Sequence, residues 1–217
     1  MTYAALEQNA RAAHLDIFGA FHPTEADGLP ADVRTLILLG PHEPGFWAHL
    51  TTSPEWMDGK GDAVDRWSLR TVSQLAEDAG GRAYFPFNGP PWHPFIAWAR
   101  RSGRAWESPV TLLVHDTAGL MVSYRGAIGL PERLELPEPG PSPCDSCTTR
   151  PCITACPAAA LTSIEYDIPA CKGYLSTEAG HNDCMAKGCA VRRSCPVSVE
   201  YKRLEAQSAY HMSHFAR

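Results

Sequence analysis

Eight cysteines are the residues of this 217-residue chain whose type and spacing suit chemistry. All fall within residues 144–196, in two sets that each close on Cys-Pro: Cys144-x2-Cys147-x4-Cys152-x3-Cys156-Pro157, then Cys171-x12-Cys184-x4-Cys189-x5-Cys195-Pro196. Thiols so concentrated serve disulfides, zinc or iron-sulfur clusters. Disulfides need an oxidising compartment, whereas the opening MTYAALEQNARAAHL has no apolar signal core and the cysteine-free remainder can build a core without staples. Zinc prefers paired Cys-x2-Cys knuckles, and only Cys144 and Cys147 have that spacing. Iron-sulfur ligation predicts three closely spaced cysteines around one cluster, then a fourth, three residues on and followed by proline, that reaches to a second cluster. The chain follows that third pattern.

Proline supplies the mechanics. Pro157 and Pro196 fix their own backbone angle and push the preceding cysteine toward an extended conformation, turning its thiolate out of the local loop. This predicts one [4Fe-4S] cluster held by Cys144, Cys147, Cys152 and Cys195 and a second held by Cys156, Cys171, Cys184 and Cys189. Such interleaving brings the clusters close together, as electron transfer between them requires. Residues 148–151 lengthen the first loop and all gaps of the second set are stretched, so Cys152 and Cys171 are the ligands least fixed by spacing.

The rest of the chain must position these thiols. With 44% apolar residues and no apolar run near membrane-spanning length, the composition predicts a globular protein of one large or two small domains. A net charge of −5 offers no general attraction to nucleic acid or to an anionic membrane, so neither is expected as a partner. Dense free cysteine without an export signal predicts a cytoplasmic location. No Gly-x-Ser-x-Gly elbow and no Gly-rich phosphate loop is present. Of the nine histidines, only His211 and His214 have metal-like spacing, and a tail helix accounts for them. The basic pairs Arg192-Arg193 and Lys202-Arg203 suit either a solvated face or an acidic electron donor.

Residues 3–18 have the period of a first helix, with Gly19 just beyond it. Residues 33–39 (VRTLILL) form a nearly continuous apolar run, which predicts a buried central strand. Phe46, Trp47, Trp56 and Met57 stud the loop at 42–60, as anchors of that loop or as a lid over a flat cofactor. Residues 62–79 predict a helix capped by Asp62 and ended by Gly80-Gly81. A strand at 82–87, a rigid turn at 88–91 and a short helix at 92–101 follow. Residues 110–115, 116–119 and 120–128 then predict a β-hairpin. The fold class expected is α+β: an α/β-type sheet-and-helix domain at 1–133, a Pro-rich linker at 134–143, and a small loop-rich, ferredoxin-like two-cluster domain at 144–217. Within the last, short helices are expected at 158–161 and 169–175 and a terminal helix at 199–215.

The combination resembles the epoxyqueuosine reductase family. The resemblance is carried by Cys144-Asp145-Ser146-Cys147, by Ala155-Cys156-Pro157-Ala158-Ala159-Ala160-Leu161, by Cys171-Lys172-Gly173-Tyr174-Leu175-Ser176-Thr177-Glu178, and by the run from Cys189 to Cys195-Pro196. It implies that Cys171 belongs to the second cluster, and that the first domain is a nitroreductase-like, cobalamin-chaperone-like sheet that binds a corrinoid. The turn at 85–92 and Tyr124-Arg125 are candidates for the rim of such a cavity, or else structural residues, since aromatics commonly fill cores. Where the family has an Asp-Tyr-His signature this chain has Val64-Asp65-Arg66-Trp67, so no catalytic residue is assigned.

Two function classes follow. One is an oxidoreductase in which the clusters pass low-potential electrons to a corrinoid or small-molecule substrate in the first domain. The other is an electron-transfer or cobalamin-handling protein with no substrate of its own. Either needs an electron donor such as a ferredoxin or flavodoxin.

Overall fold

A computed structural model describes all 217 residues. In chain order its elements are helix α1 (Tyr3–Ala12), strand β1 (Leu15–Phe21), strand β2 (Thr35–Pro41), the short helices α2 (Phe46–Thr51) and α3 (Pro54–Met57), helix α4 (Ala63–Asp78), strand β3 (Arg82–Tyr84) and helix α5 (Phe95–Arg101). Strands β4 (Ala105–Glu107), β5 (Leu113–His115) and β6 (Gly126–Leu130) come next. The cysteine region contains α6 (Pro143–Ser146), α7 (Ile168–Leu175), α8 (Glu178–Gly180), α9 (Ala190–Ser194), α10 (Pro196–Glu200) and α11 (Glu205–Ala216). The mixture is α+β, and every strand pairing is antiparallel. No helix is long and apolar enough to cross a membrane.

Two compact units form: Met1–Arg104 with Ser123–Gly140, and Ala105–Val122 with Pro141–Arg217. The sequence-drawn linker at 134–143 lies where the chain last passes between units, but nothing in that division anticipated the segment at 105–122. Its membership has a plain cause. Strands β4 and β5 pair only with each other, and Val110, Val114 and Leu120 join a buried cluster with Leu161, Val191, Cys152 and Cys195.

The first unit is built on a four-stranded sheet in the order β1-β2-β6-β3. All of β2 is buried, as its apolar run predicts. Helix α4 packs on β6 and β3, and its buried face includes Val64, Trp67, Val72, Leu75 and Ala76; full burial of an aliphatic side chain the size of Val or Leu is worth roughly 1.5–3 kcal/mol. A Cβ on Gly126 would stand 3.0 Å from Val72 Cγ1, so this strand and helix approach as closely as glycine allows. Residues 42–60 are not a plain loop but carry α2 and α3, and their aromatics anchor these helices: Phe46 meets Trp67 edge-on at 5.2 Å and Trp47 meets Trp56 at 5.0 Å.

Several expectations are corrected. The first helix stops at Ala12, because His14 turns into positive φ (56°) and Leu15–Phe21 pairs with β2. Gly19 does not end a helix. It sits at a bulge in β1, where a Cβ would come within 2.3 Å of Ser102 Oγ. Asp62 adopts a left-handed conformation and makes no side-chain cap to α4. The predicted hairpin at 110–128 does not form. Instead β5 pairs with β4 across a turn containing Pro109 and Thr111 (φ 61°), while β6 enters the main sheet between β2 and β3. Residues 158–161 are not helical. Lys202, at φ 59°, divides the expected terminal helix into α10 and α11.

Candidate metal centre

Short local structures in the second unit present seven of the eight cysteines. Ser142 caps α6 by accepting the Cys144 N–H at 3.3 Å, which places Cys144 in the first turn and Cys147 just past its end. Arg150, left-handed at φ 39°, turns the chain into a 3-10 helix (Pro151–Ile153) that buries Cys152. Asp167 caps α7, which carries Cys171, by accepting the Ala170 N–H at 2.9 Å. Cys184 lies in a π-helical turn (His181–Met185), a widening often found at functional sites. Cys189 occupies the N-cap of α9, and Cys195, extended at φ −68° and ψ 124°, precedes the Pro196 that opens α10.

The arrangement brings distant thiols together. Cys144, Cys147, Cys152 and Cys195 line one cavity of about 300 Å³, with Val114, Leu120 and Val197 supplying apolar wall. Burial pushes the Cys144 thiol above its ordinary pKa, and the neighbouring Cys195 and Cys147 push it further. Cys152 is raised in the same way by burial and then by Cys144, Cys195 and Cys147. In the other set, burial raises Cys171, with Cys189 and Cys156 adding to it. Burial likewise raises Cys184, reinforced by Cys189 and opposed by the Ala190 backbone N–H and by Arg193. Cys144, Cys152, Cys171 and Cys184 therefore resist ionising beside their neighbours unless a cation compensates.

All eight cysteines are free thiols. No three Cys, His, Asp or Glu side chains converge to hold a single metal ion. A [4Fe-4S] cluster instead takes one thiolate at each of four separated irons, and four thiols spaced around a volume are a donor set that fits it. Gln207 on α11 adds a polar orphan: it is wholly buried with both amide atoms unpartnered, and α11 packs on the turn that carries Cys184.

Sequence spacing missed several residues around the sulfurs. Tyr166 donates its hydroxyl to Cys171 Sγ at 3.4 Å, and burial followed by that bond pushes its own pKa well up. Ala160 N–H donates to Cys156 Sγ at 3.2 Å. Arg193 pairs with Asp183, next to Cys184, and its Nε donates to the Gly188 carbonyl at 2.9 Å. Arg192 donates to the Leu120 carbonyl, so this basic pair braces loops as well as facing solvent. A Cβ on Gly119 would lie 3.1 Å from Cys195 Sγ. Tyr166 and Gly119 lie outside the cysteine runs and Ala160, Arg192 and Arg193 within them, but no sequence signal marks the contacts these residues make.

In the first unit, Phe85 and Tyr124, two of the residues considered for a corrinoid rim, are buried in the core, whereas residues 88–92 of the turn are exposed. Tyr124 meets Phe18 edge-on at 6.1 Å and Phe95 at 6.3 Å, Phe85 packs on Phe87 at 5.2 Å, and Arg125 reaches Asp65 at 3.5 Å. An open groove of about 740 Å³ runs past Pro86, His93, Phe95, Ile96 and Arg100. Near the end of β2, the His14 and His49 rings stack at 4.1 Å, and His42 Nδ1 lies 2.8 Å from Asp16 Oδ2. His211 and His214 flank Tyr210 on α11.

No family model, curated protein or solved structure matches the chain.

Proposed function

We propose that this chain is an iron-sulfur redox protein in which Cys144, Cys147, Cys152 and Cys195 hold one [4Fe-4S] cluster and Cys156, Cys171, Cys184 and Cys189 hold a second. The observation that carries the reading is the meeting of Cys195 with Cys144, Cys147 and Cys152 around one cavity, although more than forty residues separate it from the nearest of them in sequence. Bound there, the clusters would supply single low-potential electrons. The chain's own part is to hold eight buried or half-buried thiolates, to set apolar wall beside the first set, and to place hydrogen-bond donors on the second set's sulfurs.

The electrons would pass to a corrinoid or small-molecule substrate in the N-terminal region, in a reaction resembling that of epoxyqueuosine reductases and fed by a ferredoxin or flavodoxin in the cytoplasm. The core positions of Phe85 and Tyr124 favour a second reading, in which the protein carries electrons or handles cobalamin for a partner and has no substrate of its own. Anaerobic purification followed by iron and sulfide analysis, with EPR of the reduced protein, tests the clusters. About eight irons per chain is the expected result, and content near zero ends the proposal. Mixing with hydroxocobalamin separates the two readings: a bound cofactor changes its spectrum and co-elutes with the protein in gel filtration.

A further inference from the structure

The second set of cysteines is served by a small tongue of chain that supplies donors to two of its sulfurs. The tongue folds back on itself through the antiparallel bridge between Leu161 and Tyr166, with Asp167 N–H donating to the Ala160 carbonyl at 2.8 Å. On one arm, Ala160 N–H points to Cys156 Sγ at 3.2 Å; on the other, the Tyr166 hydroxyl donates to Cys171 Sγ at 3.4 Å. The Tyr166 ring is held from above. Phe215 at the end of α11 stacks on it at 6.1 Å with 13° between the planes. Lys172 Nζ in turn lies 5.7 Å over the Phe215 ring and donates to the Arg217 carbonyl at 2.7 Å, so α7 fixes the end of the helix that fixes the tyrosine.

A reduced cluster carries one more negative charge than an oxidised one, spread over its sulfurs. A donor fixed on a ligating sulfur therefore stabilises the reduced form more and raises the potential. We propose that Tyr166 is a positioning and tuning residue for the second cluster, its hydroxyl hydrogen bond to Cys171 Sγ raising that cluster's reduction potential, with Phe215 holding the ring in place. The inference rests on the two-cluster reading above.

The test is an EPR-monitored reductive titration of anaerobic holoprotein, alongside iron analysis, for the wild type, Tyr166→Phe and Phe215→Leu. Phenylalanine keeps the ring and the stack and deletes only the donor. Full iron content with one of the two reduction steps moved to lower potential and the other unmoved is the expected outcome for Tyr166→Phe. Phe215→Leu, which leaves the hydroxyl but loosens the ring, should move the same step in the same direction by less. Unmoved steps at full iron content overturn the inference and leave the cluster reading intact, as does an equal shift of both steps. Loss of iron in Tyr166→Phe also overturns it, because the hydroxyl would then hold the site together without tuning it. A wild type without iron removes the two-cluster reading itself.

Discussion

A Cβ on Gly119 would lie 3.1 Å from the sulfur of Cys195 and 2.5 Å from the backbone nitrogen of Ser198. Gly119 also has φ 55°, and the next residue, Leu120, donates its N–H to Ser198 Oγ at 2.8 Å. Both its conformation and its surroundings thus demand glycine. Gly119→Ala should destabilise the protein by about 2–4 kcal/mol from overpacking and left-handed strain, and should displace Cys195 enough to lower iron retention. Urea denaturation and iron analysis of the variant check this; wild-type values for both would remove the tight approach as a constraint.

Cys195 and Cys152 are predicted to act in one cluster despite their separation in sequence. Cys195→Ser and Cys152→Ser should each lose about four irons per chain while the other cluster remains, and the double variant should lose no more than either alone. Additive losses in the double variant would place the two thiols in different clusters.

Burial and neighbouring thiols hold Cys144, Cys152, Cys171 and Cys184 above their ordinary pKa of 9.0. The folded apoprotein therefore keeps protons that the unfolded chain releases. The sign follows from linkage: these thiols contribute stability that is fully present below about pH 9 and is lost as pH rises through their folded values. The urea midpoint of the apoprotein should fall as pH is raised past 9, and Cys152→Ser should soften that fall. Iron loading, which consumes thiolates and releases protons, should flatten it. An apoprotein midpoint independent of pH in this range would contradict the packing of the thiols.

His14 behaves in the opposite sense. Burial first, then the adjacent His49 and His42, lower its pKa below the ordinary 6.5, so the fold prefers the neutral ring. Its contribution to stability is present above about pH 6.5 and is lost as pH falls through the folded value. Asparagine tolerates the positive φ at this position. His14→Asn should consequently lose less stability than the wild type between pH 7 and pH 5, as followed by thermal melts; identical slopes would exclude the histidine cluster as the cause.

How much of this the chain announces in its order of residues varies by element. Strand β2 was legible because a run buried on both faces reads the same from any direction, and α4 was legible because its apolar face repeats over four turns. Strand β1 was hidden: Ile17 continues the helical period of Leu6, Ala10 and Ala13, and only tertiary pairing with β2 overrides it. The false hairpin had a similar origin, since Asp116-Thr117-Ala118-Gly119 is good turn chemistry and Gly119 does turn, but toward Cys195. The cysteine sets were legible because their spacing is local and Cys-Pro is directional. Tyr166, Gly119 and Ser198 were not, because what they touch is decided by how separate loops meet.

Residues 105–122 belong to the cysteine-bearing unit while residues 123–140 belong to the other, so the polypeptide changes unit three times. Cutting at the proline-rich stretch would not release a portable redox cassette: the excised piece would lack Val114 and Leu120, two walls of the cavity around Cys144 and Cys195. Transplanting this centre into another scaffold requires carrying both segments and rejoining them, as one would a split insert.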